Sequence, residues 1–347
     1  MAKKSGFYPL LIKIVKCSRL PWYWVTVIIA VILLMGLVLA AFLDVAFTRL
    51  SEWGFWRNFL DGPVLITYIL VVYPFIWQLW WRAVDTLQSL LPADEVDSTR
   101  LEVGVPVPNR RWEWVATLIG AVFWLSLWQP WGWGNRWEAG AIWLSAYDVV
   151  TQSILFGLLS LLLYSSFTGN RYLNRLIRQR LNLDIFNTKL LTPIAHSSLG
   201  FSIAFIGGIS LSMVFQTQND LLMWNNIIVW VIMVCFVVLL FFLSMWSTHT
   251  AMAQAKNREL DLVQKHLKAA SLELKEGVEE SSLMGKEELS SELYSSITAL
   301  VNYERRVKEV PEWPYNASII RRLVASTFAP IVVFLIKVYS GLGIRFW

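Results

Sequence analysis

WYWVTVIIAVILLMGLVLAAFL, residues Trp22–Leu43, carries no charged side chain from end to end and opens on three aromatic rings. At 1.5 Å of rise per residue such a run covers about 33 Å as a helix. That matches a hydrocarbon core about 30 Å thick. The basic residues ahead of it (Lys3, Lys4, Lys13, Lys16, Arg19) have the polarity of a secretory leader. The run is too long for a leader and has no small-x-small cleavage site, so the expectation is an uncleaved first span.

Five more blocks of the same kind follow: Pro63–Trp81, Trp114–Pro130, Val149–Phe167, Ser198–Phe215 and Met223–Trp246. Their ends gather tryptophan, as with Trp77, Trp80 and Trp81 or Trp128, Trp131 and Trp133. An amphipathic ring is most at ease at headgroup level. The whole chain is 56% hydrophobic and 16% charged, against roughly 45–50% and about 25% in soluble domains. The fold class expected is therefore all-α, a polytopic transmembrane bundle of six spans.

The basic residues set the orientation. Lys and Arg number five in the leader, four in Arg82–Arg111 and five in Gly169–Ser197, but two, one and none in the intervening connections. This regular alternation puts the N-terminus in the cytoplasm of a plasma or inner membrane. It also explains the net charge of +5 without nucleic acid. Cys17 and Cys235 are too far apart in the expected topology to pair, so no disulfide framework is implied.

Beyond Trp246 the composition turns charged and helix-forming. Leu260, Val263, Leu267, Ala270 and Leu274 recur at steps of three and four, the pattern of a helix with one apolar seam. Gly277 and Gly285 bracket a polar turn, and a second amphipathic run from Lys286 to Val310 carries Leu289, Leu293, Ile297, Leu300 and Val307. Residues 248–310 thus read as a cytoplasmic helical hairpin, continuous with the sixth span and able to receive a soluble partner. Pro311-Glu312-Trp313-Pro314 ends it. Arg321 and Arg322 then introduce a seventh, marginal apolar segment, Leu323–Tyr339, interrupted by Pro330 and Lys337. It either crosses, re-enters or lies at the interface.

Chemistry-bearing patterns are sparse. No Asp, Glu, Lys, Arg or His occupies the middle of the six spans, which disfavours ion-coupled transport, since such carriers place an ionisable group there despite its cost. His196 and His249 flank the fifth and sixth spans with no HxxxH or CxxC spacing, and His266 belongs to the hairpin. Asp94, Glu95 and Asp97 lack the spacing of a calcium loop. Asn316-Ala317-Ser318 is a glycosylation acceptor on the wrong side of the membrane. Nucleotide-binding, nucleophile-elbow, zincin and selectivity-filter motifs are absent. No enzyme activity, metal or cofactor is expected.

What remains is a ladder of small residues on the fifth span, Gly200, Ala204, Gly208 and Ser212 with Gly207 beside it. Such a ladder is either a pore-lining face or a tight packing seam, and the seam is favoured. Ser153, Gly157 and Ser160 with Tyr164 make a similar face on the fourth span, a natural partner for it. Arg171, Arg175 and Arg178, and again Arg321 and Arg322, suit anionic lipid headgroups. The functional expectation is a homo-oligomeric, channel-like protein coupled to the hairpin. The alternative is a non-conducting anchor, scaffold or sensor that recruits a soluble protein through residues 248–310.

Overall fold

A computed structural model describes residues 20–44, 53–89, 110–128, 142–177, 186, 192–284, 288–311 and 317–341. Helix is the only regular structure among them: α1 (Trp22–Leu43), α2 (Trp53–Ser89), α3 (Arg110–Trp128), α4 (Ile142–Ile177), α5 (Thr192–Phe215), the short α6 (Gln218–Leu222), α7 (Trp224–Met284), α8 (Glu288–Glu309) and α9 (Ala317–Gly341).

Six of these helices are long and apolar enough to cross a membrane, namely α1, α2, α4, α5, α7 and α9. They leave broad apolar faces uncovered. On α1 alone, Ile32, Met35, Leu39 and Phe42 are exposed, Met35 by 65%. Water tolerates contiguous apolar surface of that kind poorly, whereas lipid chains cover it at no cost. Six such helices suggest a multi-pass membrane protein.

The set of six differs from the expected one at two places. The expected third span is realised as α3, but α3 is not among the apolar six. Arg111, Glu113 and four tryptophans dilute it over 19 residues. It nonetheless lies antiparallel along α4, with Gly120 against Phe156 and Ser160 and Trp124 stacked on Phe156. The seventh, marginal segment does qualify. As α9 it runs beside α5 from Ile319 and Leu323, which pack with Ile194 and Leu199, to Val333 and Phe334, which pack with Ile209 and Met213. Its awkward Lys337 has a use there: the ammonium donates hydrogen bonds to the carbonyls of Val214 and Gln216 at the end of α5. Those carbonyls have no partner inside their own helix.

α2 and α4 are also longer than their apolar cores, because helix continues wherever neighbours cover it. The extension brings Arg57, Asp61 and Asp148 into helices, at the end of the bundle away from the hairpin. The middles of the spans stay free of them.

Pro74 lies inside α2. Proline has no N–H, so the carbonyl four residues earlier, that of Leu70, loses its helical partner. The indole of Trp22 supplies one, donating to the Leu70 carbonyl at 2.6 Å. The first residue of α1 is thereby fastened to the centre of α2. At the other end of α1, Asp44 accepts from the backbone N–H groups of Trp143 at 3.1 Å and Leu144 at 2.7 Å. An α1 residue therefore caps the N-terminus of α4, where a carboxylate also meets the positive end of the helix dipole.

α7 is unbroken over 61 residues, about 90 Å at the helical rise. It passes straight through Gly277, where a turn was expected. An interior glycine costs only about 1 kcal/mol, too little to end a helix that neighbouring turns support. α8 packs back along it, burying Val263 against Val307. Lys256 of α7 donates to the carbonyls of Lys308 at 2.8 Å and Val310 at 3.0 Å, closing the C-terminus of α8. Tyr303 of α8 meets Phe186 edge-on at 5.7 Å, so the hairpin also touches the connection between α4 and α5. The Glu304 carboxyl of α8, which also meets Gln264 of α7, is held below its usual range, chiefly by a hydrogen bond from Lys308.

Trp22→Phe is expected to destabilise the bundle by about 1–3 kcal/mol, the cost of an orphaned buried carbonyl. In a Pro74→Ala background, where α2 regains its own hydrogen bond, the same change should cost much less; a thermal-melting double-mutant cycle reads the difference. Asp44→Ala should cost about 1 kcal/mol in the same assay, with Asp44→Asn recovering part of it.

Candidate functional site

The small-residue ladder of α5 faces α2. Tyr68 of α2 lies across it, its hydroxyl donating to the Ala204 carbonyl at 2.8 Å. A Cβ on Gly207 would sit 2.4 Å from that hydroxyl, and one on Gly200 would sit 2.4 Å from Leu79 Cδ1. A Cβ at either glycine would meet the tip of another helix's side chain, which would have to shift. The ladder is a packing seam, filled by Tyr68 and Leu79. Its partner is α2, not the small-residue face of α4.

That α4 face, with Gly157 and Ser160, serves α3 instead. A Cβ on Gly120 would lie 2.4 Å from the Phe156 carbonyl oxygen and 2.5 Å from Ser160 Cβ, while one on Gly157 would lie 3.1 Å from Thr117 Cγ2. The two backbones cross nearly in contact, as small-xxx-small pairs allow. Ser153 and Ser212 are half-buried, Ser153 with no partner for its hydroxyl.

With α2 drawn onto α5 and α3 drawn onto α4, a gap of about 260 Å³ is left between α2, α4, α5 and α7. It lies between two packed zones. One is Leu65, Ile66, Ile69 and Leu162 at mid-bundle; the other is Val84, Leu176, Ile194 and Met245 toward the hairpin. The gap persists because small polar residues stand where large apolar ones would close it: Ser165 and Ser166 on α4, and Ser197, Ser198 and Ser202 on α5. Ser202 is fully buried and returns its hydroxyl to the Ser198 carbonyl at 3.1 Å.

The opposite wall is aromatic. Trp77 and Trp80 of α2 stack at 4.9 Å with their planes 22° apart. Gly169 lets the Trp80 indole approach α4, since a Cβ there would fall 2.8 Å from Nε1. Three polar atoms of the lining have no hydrogen-bond partner: Tyr73 Oη and Trp80 Nε1 in this wall, and Ser165 Oγ on α4. The hydroxyls of Tyr73 and Ser165 are close enough to interact, though neither completes a hydrogen bond by distance and angle. Tyr73 is 3% exposed and Trp80 8%. Buried donors are nearly always satisfied in native structures, and the three side chains that carry these atoms all line the same gap.

Phe236, Leu240 and Phe241 of α7 complete the lining, with Phe167 and Asn170 of α4. Phe167 and Phe236 belong both to the cavity and to the outer surface, being 68% and 48% exposed. They frame a side opening between α4 and α7. Arg171 and Arg175 are exposed on α4 next to Asn170, and Arg321 and Arg322 are exposed at the start of α9. All four lie at the hairpin end of the bundle. Arg178, Asp94, Glu95, Asp97, Asn316 and Cys17 lie outside the described residues.

Tyr73 and the paired serines carry no motif, so the sequence reading passed over them. The available signal was Ser165-Ser166 at the end of one span and Ser197-Ser198 with Ser202 at the start of the next, at the same end of an antiparallel pair. No protein-family model, curated protein or solved structure matches this chain.

Gly120→Ala is expected to lower the melting temperature clearly, because its Cβ meets a backbone carbonyl that cannot move aside. Gly208→Ala should be close to neutral, its Cβ meeting Tyr68 at an ordinary 3.5 Å.

Proposed function

We propose that the chain is a membrane-embedded sensor. Its intramembrane cavity takes up a small molecule, and its hairpin carries the response to a soluble partner on the cytoplasmic side. The observation that carries this reading is the double membership of α7. The helix gives Phe236, Leu240 and Phe241 to the cavity wall and then runs unbroken to Met284 as one arm of the hairpin. A side-chain adjustment at the wall is a tilt at the far end of a stiff rod, which is the kind of two-state element that coupling requires. The outer face of the hairpin keeps Leu262, Leu272 and Val301 exposed, apolar positions for a partner to cover. The cytoplasmic placement rests on the distribution of Lys and Arg between the connections.

A conducting, oligomeric protein is the competing reading, and its main sequence support was the ladder of α5. Tyr68 and Leu79 occupy that face, so a conduction path would have to arise between copies. The sensor reading makes no such demand.

The test uses the protein in nanodiscs, with native cysteines replaced and spin labels at Thr298 on α8 and Thr168 on α4. Ser202→Phe fills the cavity and mimics occupancy. The expected result is a hairpin distance distribution displaced from that of the unsubstituted protein; superimposable distributions in a folded variant would refute the coupling. In vesicles, ion flux is expected to match protein-free controls. Flux that vanishes when Ala204 or Gly208 is enlarged would restore the conducting reading.

A further inference from the structure

The chemistry of the cavity narrows its occupant, on the reading that the cavity is a binding site. We infer that it takes an uncharged lipid bearing a carbonyl or ester oxygen, drawn sideways from the bilayer between Phe167 and Phe236.

Charge comes first. Asp, Glu, Lys, Arg and His are all missing from the lining, which is serine, tyrosine, tryptophan, one asparagine and apolar side chains. A charged group moved from water into such a place would be uncompensated, at a penalty far beyond what a few hydroxyls return. The occupant is neutral. Its polarity follows from the unmet atoms. An indole N–H only donates, and a tyrosine or serine hydroxyl both donates and accepts. Tyr73, Trp80 and Ser165 all line the cavity and carry these unmet atoms, so an acceptor oxygen on the ligand suits them. A purely hydrocarbon occupant would leave all three unsatisfied.

Size and access agree. At about 260 Å³ the cavity falls just under the roughly 300–1,000 Å³ of drug-sized sites. It holds a compact head and the start of a chain, so the rest of the chain must leave through an opening. The opening between Phe167 and Phe236 faces sideways, on helices whose exposed flanks meet lipid. A molecule already dissolved in the bilayer reaches it without crossing water.

The test is photolabelling of the full chain in nanodiscs by three diazirine probes of equal chain length: a monoacylglycerol, a fatty acid and a phosphatidylcholine. The monoacylglycerol is expected to label peptides containing Tyr73–Trp80 or Ser165–Asn170, competed by unlabelled monoacylglycerol. Tyr73→Phe with Ser165→Ala should cut that labelling roughly tenfold, the loss of one to two neutral hydrogen bonds. Without lipid probe the same double variant should melt at the same or a higher temperature, because it removes hydroxyls that nothing satisfies. Equal labelling by the fatty acid or the phosphatidylcholine overturns the inference. So does labelling indifferent to the double variant, or a lowered melting temperature, which would make the two hydroxyls structural. Labelling as expected with an unmoved hairpin defeats the sensor and spares the ligand assignment; a hairpin moved by Ser202→Phe without monoacylglycerol labelling does the reverse.

Discussion

Inside an apolar bundle every backbone N–H and C=O must find its partner within the protein, because lipid offers none. Much of this architecture follows from that constraint. Pro74 breaks the ladder of α2, and Trp22 repairs it from another helix. Asp44, just past the end of α1, answers the first N–H groups of α4, and Lys256 answers the last carbonyls of α8. Each repair is also a tether between elements far apart in sequence. A long-range contact that hydrophobic packing alone would leave free to slide becomes fixed in register.

The same constraint gives the cavity its interest. Elsewhere in the bundle, hydroxyls of Thr26, Thr67, Thr151 and Ser210 turn back on carbonyls of their own helix, the inexpensive solution for a small polar side chain in a span. Tyr73, Ser165 and Trp80 do not take it. A tyrosine hydroxyl lies too far from its own backbone to do so, and an indole nitrogen likewise. Placing those two side chains beside a serine-lined gap leaves polar atoms that something entering the gap can satisfy. The aromatic stack on the opposite side supplies flat apolar surface, and α7 closes the last wall with phenylalanine and leucine.

How much of this the sequence disclosed depended on whether the feature was local or relational. The charge-free run of Trp22–Leu43 and the a/d spacing of Leu260, Val263 and Leu267 are local patterns, and α1 and the α7–α8 hairpin appear where those patterns place them. The limits of α2 and α4 are set by neighbours covering polar turns, so Arg57, Asp61 and Asp148 fell outside the expected spans yet lie within helices. α3 and α9 exchanged roles for a related reason. Tryptophan and a few charges weaken a hydropathy sum without preventing a helix from lying along α4. Lys337 is equally misleading by composition, because its partners, the carbonyls ending α5, are invisible until the two helices are seen side by side. The glycine ladder was recognised as a close-packing surface, but which helix it meets depends on Tyr68 and Leu79. The cavity was the least legible feature, being defined by what four helices fail to fill.

The cap that Lys337 places on α5 has a consequence for biosynthesis. The carbonyls of Val214 and Gln216 are complete only when a residue more than a hundred positions downstream arrives. A nascent chain emerging from a ribosome therefore holds α5 with an unfinished end throughout translation of α7 and the entire hairpin. The closing stitch comes from α9, so the end of α5 is completed only after α7 and the hairpin have been made.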